Sequence, residues 1–232
     1  MTIFRLKQLA GAPRNVGGII RWEFDRAELI ADGVVHGLGI AFGLIAATTL
    51  IVLTGIYAST AQIVSVSIYA AGLVAMFGIS ATYNLWPVSP VKWLLRRFDH
   101  SAIYVLIAAT YTPFLVEMND RVVGIALLVG VWSVAIAGIA LKVFYPGRFD
   151  KLSVGLYLAL GWSGVMAYDS IVASLPRTVL WLIAAGGVLY SLGVIFHAWE
   201  RLRFQNAIWH SFVLLAAACH YTAVLDLVVI SA

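Results

Sequence analysis

Residues Phe204 to Leu225 read FQNAIWHSFVLLAAACHYTAVL. The stretch is apolar along most of its length, yet it holds Asn206, His210 and His220. A helix crosses a bilayer with about 20 mainly apolar residues, and this stretch has that length. Polar groups inside such a run are costly unless they face the interior of a bundle. The reading that follows is a transmembrane helix with an amide and two imidazoles turned inward.

The rest of the chain has the same character. Of its 232 residues, 62% are hydrophobic and 11% are charged, and mean hydropathy is +0.95. Soluble domains carry roughly 25% charged residues. Apolar runs recur, which predicts spans at about 30–53, 62–86, 99–118, 122–144, 153–171, 178–198 and 206–230. The expectation is an all-α membrane protein: a seven-transmembrane helix bundle over residues 30–232, after an N-terminal segment 1–29. That segment is mixed in charge and has no apolar core of the kind a cleavable signal peptide needs. No short repeat or second domain is visible. The fifth span is short and carries Gly155, Gly161 and Gly164, small residues expected to let helices approach closely. In YNLWPVSP, Pro87 and Pro90 are expected to end the second span, and Pro113 to kink the third. Cys219 is the single cysteine, so no intrachain disulfide forms, and it reads as a small packing residue.

Charge asymmetry gives the direction. Arg5, Lys7, Arg14, Arg21 and Arg26 precede the first span. Lys92, Arg96 and Arg97 follow the second, Lys142, Arg148 and Lys151 the fourth, and Arg201 and Arg203 the sixth. Only Arg121 and Arg177 fall on the other side. Basic residues collect on the cytoplasmic side, which predicts a cytoplasmic N-terminus, an outside C-terminus and a multi-pass protein of the plasma (inner) membrane. The pI near 9.3 is the same asymmetry in bulk, and no nucleic-acid footprint accompanies it.

With that topology the polar residues gather at one depth. Glu28, Asp32 and His36 open the first span, Ser80 and Asn84 close the second, and Asp99 and His100 open the third. His197 closes the sixth, and Asn206 and His210 open the seventh. Asp32/His36, Ser80/Asn84 and Asn206/His210 are each four apart, so each pair shares a helix face. Glu28 also reads as a helix cap. His220 lies ten residues beyond His210, roughly 15 Å deeper along the helix, and reads as a structural hydrogen bond. Glu117, Asp120, Asp169 and Asp226 read as boundary charges at the opposite ends.

The stretches ELIADGVVHGLG, FDHSAIYVLIAATYTPF, GGVLYSLG and NAIWHSFVLLAAACH resemble the hemolysin III family, the bacterial branch of the progestin and adiponectin receptor superfamily. The order of these stretches and the seven-span layout agree over the whole apolar region. The resemblance implies a zinc site of three histidines, with an aspartate and a serine around the metal-bound water. It also implies chemistry like that of a lipid-amide hydrolase of the ceramidase type. Ser80 and Asp99 match the serine and aspartate, the candidate catalytic residues. His210 matches one zinc ligand. The other two ligand positions are occupied by Asn84 and Asn206.

Amide oxygens suit harder cations better than zinc. One imidazole with two amides and a carboxylate makes a poor zinc shell, so the protein is expected to bind zinc weakly or not at all. His36, His100 and His197 lie at the same end and are the candidates for substitute ligands. Two functions follow. One is a non-catalytic protein that binds a membrane lipid or lipid-like ligand, or perturbs membranes. The other is a metal-dependent membrane hydrolase of lipid amides. A retinal pump is set aside, because Lys7, Lys92, Lys142 and Lys151 all fall in loops or at helix ends.

Overall fold

The computed structural model of the protein describes residues 24–199 and 201–230. Most of the segment 1–29, with Arg5, Lys7, Arg14 and Arg21, lies outside the described residues. The described residues form helices: α1 (Arg26–Tyr57), α2 (Thr60–Leu85), α3 (Pro90–Val116), α4 (Arg121–Phe144), α5 (Asp150–Gly161), α6 (Tyr168–Ser174), α7 (Arg177–Ala198) and α8 (Gln205–Leu225). A 3₁₀ turn at Ser163–Ala167 joins α5 to α6, and a π turn at Asp226–Ile230 extends α8.

Local chemistry sets the helix starts. Asp25 accepts a hydrogen bond from the Glu28 N–H, and Glu28 accepts one from the Asp25 N–H. Ser59 and Gln62 repeat this capping box at α2. Each box satisfies two of the N–H groups that a helix start leaves without partners. Ser89 caps α3 and Pro90 takes its first position, where a missing N–H costs nothing. Pro90 therefore opens α3 instead of ending α2. As a result, α3 begins nine residues before the expected third span. Its buried Pro113 lies inside the helix, which continues to Val116.

Among the described residues, six segments are long and apolar enough to cross a membrane: Arg26–Tyr57, Thr60–Leu85, Arg121–Phe144, Asp150–Ser174, Arg177–Ala198 and Gln205–Ile230. α3 falls short on composition, since Lys92, Arg96, Arg97 and Asp99 crowd its first half. Its inner face nevertheless packs within the bundle, with Asp99, Tyr104, Ala108, Thr112 and Phe114 all buried. It lies between α2 and α4, while α1 packs on α2 and α8, and α7 on α8.

The Asp150–Ser174 segment is broken. The Tyr111 hydroxyl donates to the Gly161 carbonyl (2.7 Å) and accepts from the Gly164 N–H (2.9 Å). A Cβ on Gly155 or Gly161 would meet no neighbour within 4 Å. The expected close helix approach is thus absent at those two glycines, and Gly161 and Gly164 frame the break. Asp226 also differs from a boundary charge. It is buried and accepts from the Thr178 hydroxyl, tying α8's extension to α7. Lys92 and Lys142 are at helix ends as expected, but both are buried. Lys92 donates to the Asn84 and Trp86 carbonyls at the end of α2, both at 2.9 Å, a cation on the negative end of a helix.

Candidate functional site

The buried stripe of α1 is Glu28, Asp32, His36, Gly39, Gly43 and Ala46. Its exposed face carries Ile30, Val34, Leu38 and Ile45. This inverts a soluble amphipathic helix: polar and small residues point inward, and apolar ones face outward as they would toward lipid.

Small residues let α1 and α2 meet closely. A Cβ on Gly39 would stand 2.8 Å from the Phe77 ring. One helical turn away, the same approach brings His36 Nε2 to 3.4 Å from Ser80 Oγ. Helix α8 is placed from the other side. Phe204 takes a left-handed conformation (φ 59°) just before α8 starts, and its N–H donates to Glu28 Oε1 at 3.1 Å. Arg203 pairs with Asp25 at 3.3 Å. Glu28 is therefore a cap that also locates the start of α8. Six residues into α8, His210 Nδ1 lies 2.7 Å from Asp32 Oδ1. The His36 and His210 rings meet edge to face, with centroids 4.3 Å apart.

The hydrogen bonds assign roles to these atoms. His36 Nδ1 is 2.8 Å from the Asp32 carbonyl. A carbonyl only accepts, so Nδ1 carries the proton and Nε2 keeps its lone pair. Ser80 donates to that lone pair and accepts from Asn84 Nδ2 at 3.3 Å; Asn84 Nδ2 also reaches the Ser80 carbonyl at 3.0 Å. A void of about 10 Å³, lined in part by His36, Ser80 and His210, lies at the junction. That is the size of a single water.

The residues named from the sequence divide in two. Ser80 and His210 belong to the cluster. Asn84 supports it through Ser80, with its amide nitrogen directed at its own helix. Asp99 is buried, 3.5 Å from His100 Nδ1 and in electrostatic range of His210 and Ser80. Asp99 Oδ1, His100 Nδ1 and His197 Nδ1 are buried without hydrogen-bond partners among the described residues. Asn206 sits half-buried in the first turn of α8. His220 Nε2 donates to the Ile183 carbonyl at 3.2 Å, a structural hydrogen bond between α8 and α7. The sequence reading missed Asp32 as a site residue, although its spacing to His36 was visible.

A second space adjoins the first. An apolar chamber of about 630 Å³ lies among α3, α5, α6, α7 and α8. Met76 and Val213 line both the chamber and the small void beside the histidines. Tyr168 and Trp181 line the chamber and are strongly exposed, so its rim lies on the outer surface of the bundle.

The family's zinc positions do not fit the metal here. Asn84 and Asn206 supply amides, and the Asn84 amide nitrogen is committed to Ser80. A different set does fit the donor chemistry. Ligand atoms of Asp32, His36 and His210 all lie within 4.8 Å of one another, a carboxylate and two imidazoles of the kind transition metals take.

These features define a polytopic helical membrane protein with a polar, histidine-rich cluster inside the bundle. The chain belongs to the haemolysin-III-related family, which it matches over residues 26–221. It is 40% identical over 202 residues to the hemolysin-3 homolog of Bacillus subtilis (strain 168), covering 87% of this chain and 95% of the relative. Hemolysin-3 of Bacillus cereus is 36% identical over 198 residues, covering 85% and 90%. The monocyte to macrophage differentiation factor of Homo sapiens is 32% identical over 164 residues, covering 68% and 67%. No solved structure matches the chain significantly.

Proposed function

We propose that the protein is a seven-span membrane protein that binds a lipid, with the acyl chain in the apolar chamber and the polar head toward Ser80, His36 and His210. The observation that carries this reading is the shared wall: Met76 and Val213 border both the chamber and the small void that His36, Ser80 and His210 also line. The chamber's volume lies in the roughly 300–1,000 Å³ range of small-molecule sites. Each buried methylene contributes about 0.8 kcal/mol. α3 is the seventh span in this reading, its polar groups sheltered by α2 and α4. The basic asymmetry puts the N-terminus in the cytoplasm and the C-terminus outside, in the plasma membrane. The name hemolysin carried by the Bacillus relatives is consistent with an action on membranes.

The test is saturable binding of radiolabelled palmitate to detergent-purified protein. Ala184 lines the chamber, and Ala184→Trp is expected to weaken binding at least tenfold with helix content unchanged. Absence of saturable binding by the parent protein sinks the reading. Reporter fusions at both ends test the topology, and a cytoplasmic C-terminus rules out seven spans.

The histidine cluster beside the chamber favours a second reading, a metal-dependent hydrolase of lipid amides. A metal held there would supply an activated water. Asp99 and Ser80 would then position groups around the scissile amide. Release of free fatty acid from an N-acyl lipid, lost on chelation, distinguishes this reading from binding alone.

A further inference from the structure

We propose that Asp32, His36 and His210 form a transition-metal site that uses α1 in place of the two family ligand positions held here by Asn84 and Asn206. The inference is independent of lipid binding. Its first support is the donor set. The three ligand atoms lie within 4.8 Å of one another, and ligands around a tetrahedral zinc stand about 3.3 Å apart at ordinary bond lengths. His210 Nδ1 and Asp32 Oδ1 are closer than that, at 2.7 Å. A sub-ångström opening replaces their hydrogen bond by two metal bonds.

The second support is the tautomer. His36 Nδ1–H is held by the Asp32 carbonyl at 2.8 Å. This is the outer hydrogen bond that metal-bound histidines make, and it leaves the Nε2 lone pair to the metal in exchange for the Ser80 hydroxyl 3.4 Å away. Nε2 faces Ser80, and His36, Ser80 and His210 all line the void of about 10 Å³.

The third support is unspent polarity. Asp99 Oδ1, buried and in a carboxylate within electrostatic range of His210, has no hydrogen-bond partner among the described residues. A buried carboxylate oxygen left in this way is costly. A metal-bound water is a donor that would satisfy it. Two imidazoles and one carboxylate leave an open position for such a water.

The spacing explains why the set is self-consistent. Asp32 and His36 are four apart on one face of α1. His210 arrives on α8, located by Glu28 and Phe204. The amide positions keep a supporting role: Asn84 orients Ser80, and Ser80 addresses His36.

The experiment measures zinc per chain in detergent-purified protein after zinc loading and dialysis. Near one zinc per chain is expected for the parent. Asp32→Asn, His36→Gln and His210→Gln are each expected to lower zinc affinity by tenfold or more. Asn84→Ala and Asn206→Ala are expected to retain stoichiometric zinc. Ser80→Ala keeps all three ligands and removes only the hydroxyl that competes for the His36 Nε2 lone pair, so it is expected to retain stoichiometric zinc. Cobalt(II) in the parent should show visible absorption of a four-coordinate site, and His36→Gln should abolish it. Zinc addition should raise the thermal midpoint of the parent but not of His36→Gln. A parent that takes up no metal overturns the proposal. So does zinc that survives both Asp32→Asn and His36→Gln, or that is lost in Asn84→Ala and Asn206→Ala.

Discussion

His210 on α8 reaches across to α1 and places its Nδ1 2.7 Å from the Asp32 carboxylate, with both side chains largely buried. The contact links residues 178 positions apart and closes the polar end of the bundle.

Removing one partner of a buried hydrogen bond leaves the other unsatisfied, at about 1–3 kcal/mol. Asp32→Ala and His210→Ala should therefore each lower thermal stability clearly in metal-free detergent solution. The double variant should be less damaged than the sum of the singles, with a coupling of about 1–3 kcal/mol. Additive losses would mean that the two side chains do not interact.

Asp99 faces His100, His210 and Ser80 from inside α3. Asp99→Ala should cost about 1–3 kcal/mol by removing the carboxylate 3.5 Å from the buried His100 Nδ1. Asp169 is exposed on α6, and Asp169→Ala should stay within about 0.5 kcal/mol of the parent. Equal midpoints for the two variants would show that Asp99 is solvated.

Two glycines on α4 should respond with opposite signs. A Cβ on Gly138 would run into the Tyr104 ring, while one on Gly130 would meet nothing within 4 Å. Gly138→Ala should destabilise by about 1–3 kcal/mol through overpacking. Gly130→Ala should be neutral or stabilising by up to about 1 kcal/mol through helix propensity. Thermal midpoints of the purified variants decide it.

The break between α5 and α6 depends on one hydroxyl. Tyr111→Phe removes both the donor to Gly161 and the acceptor for Gly164. A cost of about 1–3 kcal/mol is expected, with faster hydrogen exchange at residues 161–168. Unchanged exchange there would show that the turn holds itself.

Much of the fold can be read along the chain, because each apolar run reports its own preference for lipid. α3 is the exception. Its Lys92, Arg96, Arg97 and Asp99 lower its hydropathy, and only packing inside the bundle shelters them. The break at Gly161–Gly164 was equally hidden, since the tyrosine that fastens it lies 50 residues away. At the site, the shared depth of Ser80, His210 and the α1 carboxylate and imidazole was legible from spacing. The preference for Asn84 and Asn206 over Asp32 came from family positions, and sequence distance from His210 offered no reason to rank Asp32 higher.

The sequence by itself determined the solvent, the helices and the end of the bundle at which polar groups collect. A bilayer imposes composition on each span separately, and spacings of four residues fix a face within one helix. Only the tertiary structure decided which polar groups meet. That choice depends on how each helix is rotated and how closely it approaches its neighbours. Here the Phe77 ring against Gly39 sets the approach of α1 to α2, and the Glu28 carboxylate on the Phe204 N–H sets the entry of α8. Both contacts join residues far apart in the chain, so no local pattern encodes them.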